Sequence, residues 1–200
     1  MNRQTSHSFA LVALFAALMA VMGLIPKLDL PLGVPITLQS LGVMLAGCLL
    51  GARRGLQALL LFLLAVAAGL PLLAGGRGGL GVFMAPSAGY LVGYPLAACV
   101  TGLIMQCLPC PTPRRAAINA FIASVLGGLV FLHAMGIGGL MWLAKMPLQQ
   151  ALMVDMAFVP GDLIKCVLCA LVVHTIAKAL PDWPLGTRPH TDNERNHVAI

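Results

Sequence analysis

Two residues of opposite charge lie three positions apart in a strongly apolar part of the chain, where Asp162 and Lys165 follow Pro160-Gly161. On a helix this spacing places both side chains on one face, where the carboxylate accepts hydrogen bonds and the ammonium group donates them. The structural alternative is that Asp162 caps the helix, while Lys165 pairs with it or extends toward the membrane surface. Because a lysine one turn inside a span costs about 2–3 kcal/mol, a binding role is favoured.

Further polar side chains begin two other apolar runs. They are Thr37, Gln39 and Ser40 in one run, and Ser87, Tyr90 and Tyr94 in the other. Gln39 favours a binding role because its amide has four hydrogen-bonding sites to satisfy. Thr37 and Ser40 can instead bond to their own helix. The tyrosines can belong to an interfacial aromatic belt, an alternative that is evenly balanced for Tyr90 and preferred for Tyr94.

The elements that must position these residues are membrane-spanning helices. Of 200 residues, 60% are hydrophobic and 9% are charged, whereas soluble domains have about 45–50% and about 25%. Since one span needs roughly 20 apolar residues, the chain accommodates about six spans and no separate catalytic or nucleotide-binding domain. The chain has only six Asp and Glu residues, which disfavours an enzyme built on clustered carboxylates.

The apolar runs therefore predict an all-α fold: one integral membrane domain of six transmembrane helices over residues 1–180, followed by a polar cytoplasmic tail over 181–200. The predicted spans are 9–25, 36–51, 55–70, 86–107, 116–134 and 160–180. Residues 52–54 are predicted to form a charged turn, and 148–158 a short helix near the membrane surface.

The distribution of Lys and Arg predicts the orientation, because basic residues are enriched in cytoplasmic loops. With the N-terminus inside, the cytoplasmic set is Arg3, Arg53, Arg54, Arg114, Arg115, Lys178, Arg188 and Arg195, and the outer set is Lys27, Arg77 and Lys145. Both termini are then cytoplasmic. The second, fourth and sixth spans begin at the outer face, where their positive dipole ends and polar first turns are expected to surround one site for an anionic or dipolar ligand.

The loop from Gly75 to Gly81 contains five glycines among seven residues. It lacks the Gly-Lys-Ser/Thr of a phosphate-binding loop. The loop is either a lid over the ligand or an ordinary flexible connection, and composition alone favours the second interpretation.

The cysteines and histidines are predicted to have no chemical role. The motif at 107–110 has the CxxC spacing, but a structural zinc site needs a second ligand pair. Cys166 and Cys169 lie toward the opposite face and do not supply that pair, so no metal is expected. His133 and His174 lie within spans without a matching ligand cluster, which favours a packing role for both.

Four alanines in the first span form two overlapping pairs, Ala13/Ala17 and Ala16/Ala20. Small residues at this spacing allow another helix to approach closely. The partner is either another helix of this chain or a helix of another membrane protein.

Three stretches match a known family: VPITLQSLGV at 34–43, GLP at 69–71 with PSAGYLVG at 86–93, and VPGDLIK at 159–165. On these the chain resembles BioY, the biotin-specific substrate-binding (S) component of energy-coupling factor (ECF) transporters, over about residues 8 to 180. The family usually has Thr at the position of Ser87 and Val-Phe in place of Leu72-Leu73. Tyr90, Asp162 and Lys165 match.

The resemblance implies an S-component-like bundle that is not an enzyme and that captures biotin at the outer face of the bacterial cytoplasmic membrane. Its partners would be a transmembrane coupling subunit, docked on the alanines of the first span, and two cytoplasmic ATPases that consume the ATP, so no cofactor is expected in this chain. The predicted biotin-binding residues are Asp162, Lys165, Tyr90, Gln39, Thr37 and Ser87. The alternative is an S component for a different small vitamin or nutrient.

Overall fold

The structure is a computed structural model of the 200-residue chain, and it describes residues 3–25, 28–29, 35–181, 183 and 185. The predictions for Lys27, Arg188, Arg195 and most of the polar tail lie outside the described residues. The named strands of the described part are a two-residue antiparallel pair, β1 (Leu28–Asp29) and β2 (Pro35–Ile36). The fold is otherwise helical, as predicted.

The helices in chain order are α1 (Arg3–Gly23), α2 (Gln39–Ala67), α3 (Ala88–Cys107), α4 (Pro113–Ala123), α5 (Leu132–Leu143), α6 (Leu148–Met156) and α7 (Val159–Ala179). A 3-10 helix, Leu80–Met84, precedes α3, and a π-helix, Ser124–Phe131, joins α4 to α5. In the described part, four stretches are long and apolar enough to cross a membrane: Gln39–Ala67, Ala88–Cys107, Pro113–Leu143 and Val159–Ala179. The apolar part of α1, Ser8–Gly23, is shorter.

The helix α2 supplies two of the six predicted spans. Gly51 within it has φ 78° and ψ 177°, a conformation that glycine adopts without a steric penalty. A straight helix of this length would extend about 44 Å, yet the side-chain amide of Gln39, at its start, donates to the carbonyl of Leu72, beyond its end, at 3.1 Å. Residues 39–50 and 52–67 are therefore two arms folded back on each other, and the six-helix bundle is confirmed. The turn predicted at 52–54 lies one residue too late, since the reversal occurs at Gly51 and residues 52–54 are helical.

The fifth predicted span also has different bounds. Helix continues to Leu143 rather than ending near position 134, so Trp142, which lies beyond the predicted span, belongs to α5. Gly139, in this added part of the helix, serves helix packing. A Cβ on Gly89 of α3 would lie 2.7 Å from the Gly139 Cα, so the two backbones touch at this crossing. The short helix predicted at 148–158 is confirmed as α6.

The core lies around α2, which packs most extensively against α3, then α1, and also contacts α7. Buried apolar side chains fill the bundle, including Met44, Phe62 and Met105. Many large apolar side chains point outward, as lipid-facing positions require; examples are Leu64, Leu103, Val130 and Leu171. The buried charged residues, by contrast, collect at one end of the bundle.

Candidate binding site

A cavity lies at the end of the bundle where α2, α3 and α7 begin, which we call the cavity end. Its walls are Thr37, Gln39, Ser40, Leu73, Arg77, Ser87, Tyr90, Leu91, Tyr94, Leu132, Phe158, Asp162 and Lys165. All six predicted binding residues are among them, so the structure brings these residues together as the sequence led us to expect. Their role as ligand contacts stays a prediction.

Asp162 and Lys165 form the polar centre of the cavity wall. The Lys165 Nζ donates to Asp162 Oδ1 at 2.6 Å, to Ser40 Oγ at 2.9 Å and to the Thr37 carbonyl at 2.6 Å. Ser40 in turn donates to Asp162 Oδ1 at 2.9 Å, rather than bonding to its own helix. These contacts join the start of α2 to the first turns of α7.

Two of the structural alternatives for this pair are wrong, and one is confirmed. The helix α7 begins at Val159, so Asp162 lies inside its first turns and does not cap it. Lys165 is only 7% exposed, so it does not extend to the membrane surface. The ion pair itself is present.

The second oxygen of Asp162 has a partner that the sequence analysis missed. The Nε2 atom of His133, in α5, lies 2.8 Å from Asp162 Oδ2, and its Nδ1 atom lies 2.9 Å from Asp155 Oδ2 in α6. Asp155 Oδ1 accepts from the Tyr90 hydroxyl at 2.7 Å. The packing role predicted for His133 is therefore wrong. A lone acidic residue in the short, mostly apolar segment at 148–158 was the available clue to this contact.

The geometry favours one charge state of this cluster. Both ring nitrogens of His133 face carboxylate oxygens, which only accept hydrogen bonds when ionised. A doubly protonated ring is the form in which both contacts are donations. With Lys165, two cations then balance two carboxylates, as a buried cluster requires, because an uncompensated charge in a low-dielectric interior is costly.

The aromatic side chains form the apolar part of the wall. The Tyr90 ring packs edge-on against His133, with centroids 6.3 Å apart, and tilted against Phe158 at 5.8 Å. It occupies the space beside Gly136, where a Cβ would collide with it. Tyr94 is 6% exposed, so the preferred prediction that it lies in an interfacial belt is wrong. That face of α3 is covered by the rest of the bundle rather than by lipid.

Gln39, Thr37 and Ser87 have different surroundings. The Gln39 amide donates to the carbonyls of Met19 at 3.3 Å and Leu72 at 3.1 Å, tying α1 and the end of α2 to the cavity. Thr37 Oγ1 accepts from the Gln39 backbone N–H at 3.3 Å, the local bond that was the structural alternative. The buried hydroxyl of Ser87, in the cavity wall, has no hydrogen-bond partner among the described residues.

The glycine-rich loop forms part of the wall. Leu73 and Arg77 pair across a tight turn, with the Leu73 N–H donating to the Arg77 carbonyl at 3.0 Å. The Gly79 N–H donates to the Val66 carbonyl at 2.7 Å, tying the loop to α2. Composition favours an ordinary flexible connection for residues 75–81, and it does not indicate that Arg77 of this loop lines the cavity. Arg77 entered the sequence analysis only as an outer basic residue.

The alanine pairs of α1 divide between two faces. Ala16 and Ala20 are half-buried and pack against the core, whereas Ala13 and Ala17 are exposed. Ala16 and Ala20 therefore serve packing within the chain, whereas Ala13 and Ala17 are accessible to a partner.

The cysteines at 107 and 110 show no metal-binding arrangement. All six cysteines are free, and the described residues contain no group of three or more His, Cys, Asp or Glu that could hold a metal ion. Cys110 accepts from the Asn119 amide at 3.4 Å.

The bundle has the architecture of a membrane-embedded S component, as a comparison with a solved structure shows. A crystal structure described as that of the S-component for biotin from an ECF-type ABC transporter is 30% identical in sequence and superposes with a TM-score of 0.81, covering 89% of this chain and 94% of that one.

The chain belongs to the BioY family, whose model matches residues 1–182. It is 49% identical over 187 residues to the biotin transporter BioY of Rhodobacter capsulatus, covering 88% of this chain and 95% of that protein. It is 44% identical over 183 residues to the biotin transporter BioY of Rhizobium etli, covering 90% and 98%.

Proposed function

We propose that this chain binds biotin in the cavity and serves as the substrate-binding component of a vitamin uptake transporter. The observation that carries the proposal is the ion pair of Asp162 and Lys165 in the cavity wall of a BioY family member. The chain itself is a membrane transport component and not an enzyme.

The chemistry of the cavity suits the two ends of biotin. Biotin carries a ureido ring, with two N–H donors and a carbonyl acceptor, a thioether ring and a valerate carboxylate. The carboxylate of Asp162 can accept from a ureido N–H group, and Arg77 can donate to a carbonyl or carboxylate. Lys165 can donate to the ligand when it exchanges one of its three contacts within the protein. The rings of Tyr90 and Phe158 offer an apolar surface to the thioether ring.

The proposal is tested by equilibrium binding of biotin to the purified protein. Asp162→Ala and Lys165→Ala are each expected to weaken binding by at least ~2 kcal/mol, the scale of a lost hydrogen bond to a buried charged group. Lys178→Ala, in the last turn of the same helix and exposed, is the matched control and is expected to bind as the wild type does. Wild-type affinity in both site variants would contradict the assignment. Preferential binding of another small vitamin would favour the alternative nutrient.

We also propose that the cavity opens to the outside and that both termini are cytoplasmic, in the bacterial cytoplasmic membrane. Basic residues support this orientation. Arg77 and Lys145 lie at the cavity end, whereas the opposite end carries Arg53 and Arg54 beside the α2 reversal, Arg114 and Arg115 in α4, and Lys178.

Thiol labelling in intact cells tests the orientation. In a cysteine-free background, a membrane-impermeant maleimide is expected to label Lys145→Cys and to leave Arg114→Cys unlabelled until the cells are opened. The reverse pattern would show that the cavity opens to the cytoplasm.

The partners belong to the same proposal. Import would require a transmembrane coupling subunit, docked on the exposed Ala13 and Ala17 of α1, and two cytoplasmic ATPases that consume ATP. This chain would need no cofactor or metal of its own. Small side chains at i, i+4 support close helix approach in a membrane.

A further inference from the structure

The short helix α6 is joined to the cavity through one buried acidic side chain. Its apolar contacts form a small cluster of Leu140, Ala151 and Phe158, separate from the main core. Asp155 is 4% exposed, and both of its oxygens are engaged. Oδ1 accepts from the Tyr90 hydroxyl at 2.7 Å, and Oδ2 lies 2.9 Å from His133 Nδ1.

Neither Asp155 nor His133 lines the cavity, but both touch side chains that do. Asp155 holds the Tyr90 hydroxyl directly. His133 lies 2.8 Å from Asp162 Oδ2, while Asp162 Oδ1 is occupied by Lys165 and Ser40. The pair therefore contacts two cavity-lining groups, Tyr90 and Asp162, from behind the wall.

We propose that Asp155 and His133 are positioning residues that fix the orientation of Asp162 and Tyr90 for biotin. The inference rests on the proposed function, because it assigns a role in binding at the same cavity. When His133 occupies Oδ2, the Asp162 carboxylate cannot turn so that both oxygens face Lys165, and Oδ1 stays with Lys165 and Ser40. Asp155 acts on Asp162 through His133, because it anchors the other nitrogen of the same ring, and it acts on Tyr90 directly.

This arrangement predicts different outcomes for two substitutions of Asp155. Asp155→Ala removes the acceptor of Tyr90 and the anchor of His133. In Asp155→Asn, the amide oxygen still accepts from Tyr90, and the amide N–H donates to Nδ1 of a neutral ring whose Nε2–H still donates to Asp162. One negative charge and one proton leave together, so the net charge of the cluster is unchanged.

The experiment measures the Kd for biotin of full-length purified variants, with thermal unfolding of each ligand-free protein as a check of folding. His133→Ala and Asp155→Ala are each expected to raise the Kd at least tenfold. The double variant is expected to lose less affinity than the product of the two single effects, because both changes disturb the same contact between His133 and Asp162. Asp155→Asn is expected to recover most of the lost affinity. Met153→Ala, on the exposed face of α6, is the matched control and should bind as the wild type does.

Wild-type affinity in both alanine variants, or single effects that multiply in the double variant, would overturn the inference and leave the proposed function intact. Failure of the wild type to bind biotin would overturn both. If the alanine variants do not fold, His133→Gln takes their place: its amide donates to one of the two carboxylates but presents its carbonyl oxygen to the other, so the bridge between Asp155 and Asp162 is broken. It is expected to weaken binding, and wild-type affinity in that variant would overturn the inference.

Discussion

The two ends of the helical bundle use polar side chains in different ways. At the cavity end, Asp162 and Lys165 face an open space and bond to one another and to α2 and α5. At the opposite end, the Asn119 amide donates to the Pro109 carbonyl at 2.8 Å, and the Trp183 indole donates to the Leu49 carbonyl at 3.1 Å. The first set surrounds a site, whereas the second satisfies backbone groups at chain turns.

Charge separates the two ends more sharply than polarity does. Among the described residues, the buried Asp, Glu, Lys and Arg are Asp155, Asp162 and Lys165, all at the cavity end. Burying charges costs free energy even when they are paired, and removing them from a span would be the cheaper arrangement for folding alone. Their concentration beside one cavity is what the proposed binding role requires and is not explained by stability.

The largest effect on stability is expected from breaking the charge balance at the cavity end. Lys165→Met removes one cation and leaves the cluster with excess negative charge, so the free energy of unfolding should fall by about 3–5 kcal/mol. Lys178→Met, which changes an exposed lysine of the same helix, should change it by less than about 0.5 kcal/mol. Equilibrium unfolding in detergent measures both, and equal effects would contradict the comparison.

A smaller effect is expected from crowding the aromatic wall. Gly136→Ala places a Cβ against the Tyr90 ring, so the ring must move, at a cost of about 1–3 kcal/mol in stability. Biotin binding should weaken as well. Gly138→Ala is the matched control, because its Cβ would meet no atom within 4 Å. Thermal unfolding and Kd measurements should show lower stability and weaker biotin binding for Gly136→Ala than for Gly138→Ala. Identical values for the two variants would exclude the role of Gly136 in making space for the Tyr90 ring.

The smallest effect is expected at the opposite end. Asn119→Ala loses the hydrogen bond to the Pro109 carbonyl, which should lower stability by about 1 kcal/mol. Biotin affinity should stay at the wild-type value, because the change lies far from the cavity. A loss of affinity would show that the two ends are coupled, against the separation described above.

The convergence of polar residues at one end was predictable from the sequence, because it follows from topology alone. Alternate spans begin at the same face, so polar first turns on the second, fourth and sixth spans must lie at one level. Topology places Asp162, Tyr90 and Gln39 at the same level without specifying which side of its helix each residue occupies. The match of the Pro-Gly-Asp-x-x-Lys stretch to a known family strengthened the same expectation.

His133 and Asp155 were not predictable in this way. The π-helix Ser124–Phe131 precedes His133, and a π-helical segment shifts the phase of every later residue relative to a regular α-helix. The face occupied by His133 therefore does not follow from a 3.6-residue period. The position of Asp155 depends on how α6 docks against α5, and nine residues with a few apolar contacts do not specify that docking.

The most direct test of the account is an experimental structure of the protein with biotin bound. We expect the ligand between the starts of α2, α3 and α7, with polar atoms at hydrogen-bonding distance, about 3 Å, from Asp162 or Lys165 and the bicyclic ring against Tyr90 or Phe158. Biotin bound elsewhere in the bundle, with the Asp162–Lys165 pair remote from it, would contradict the central claim.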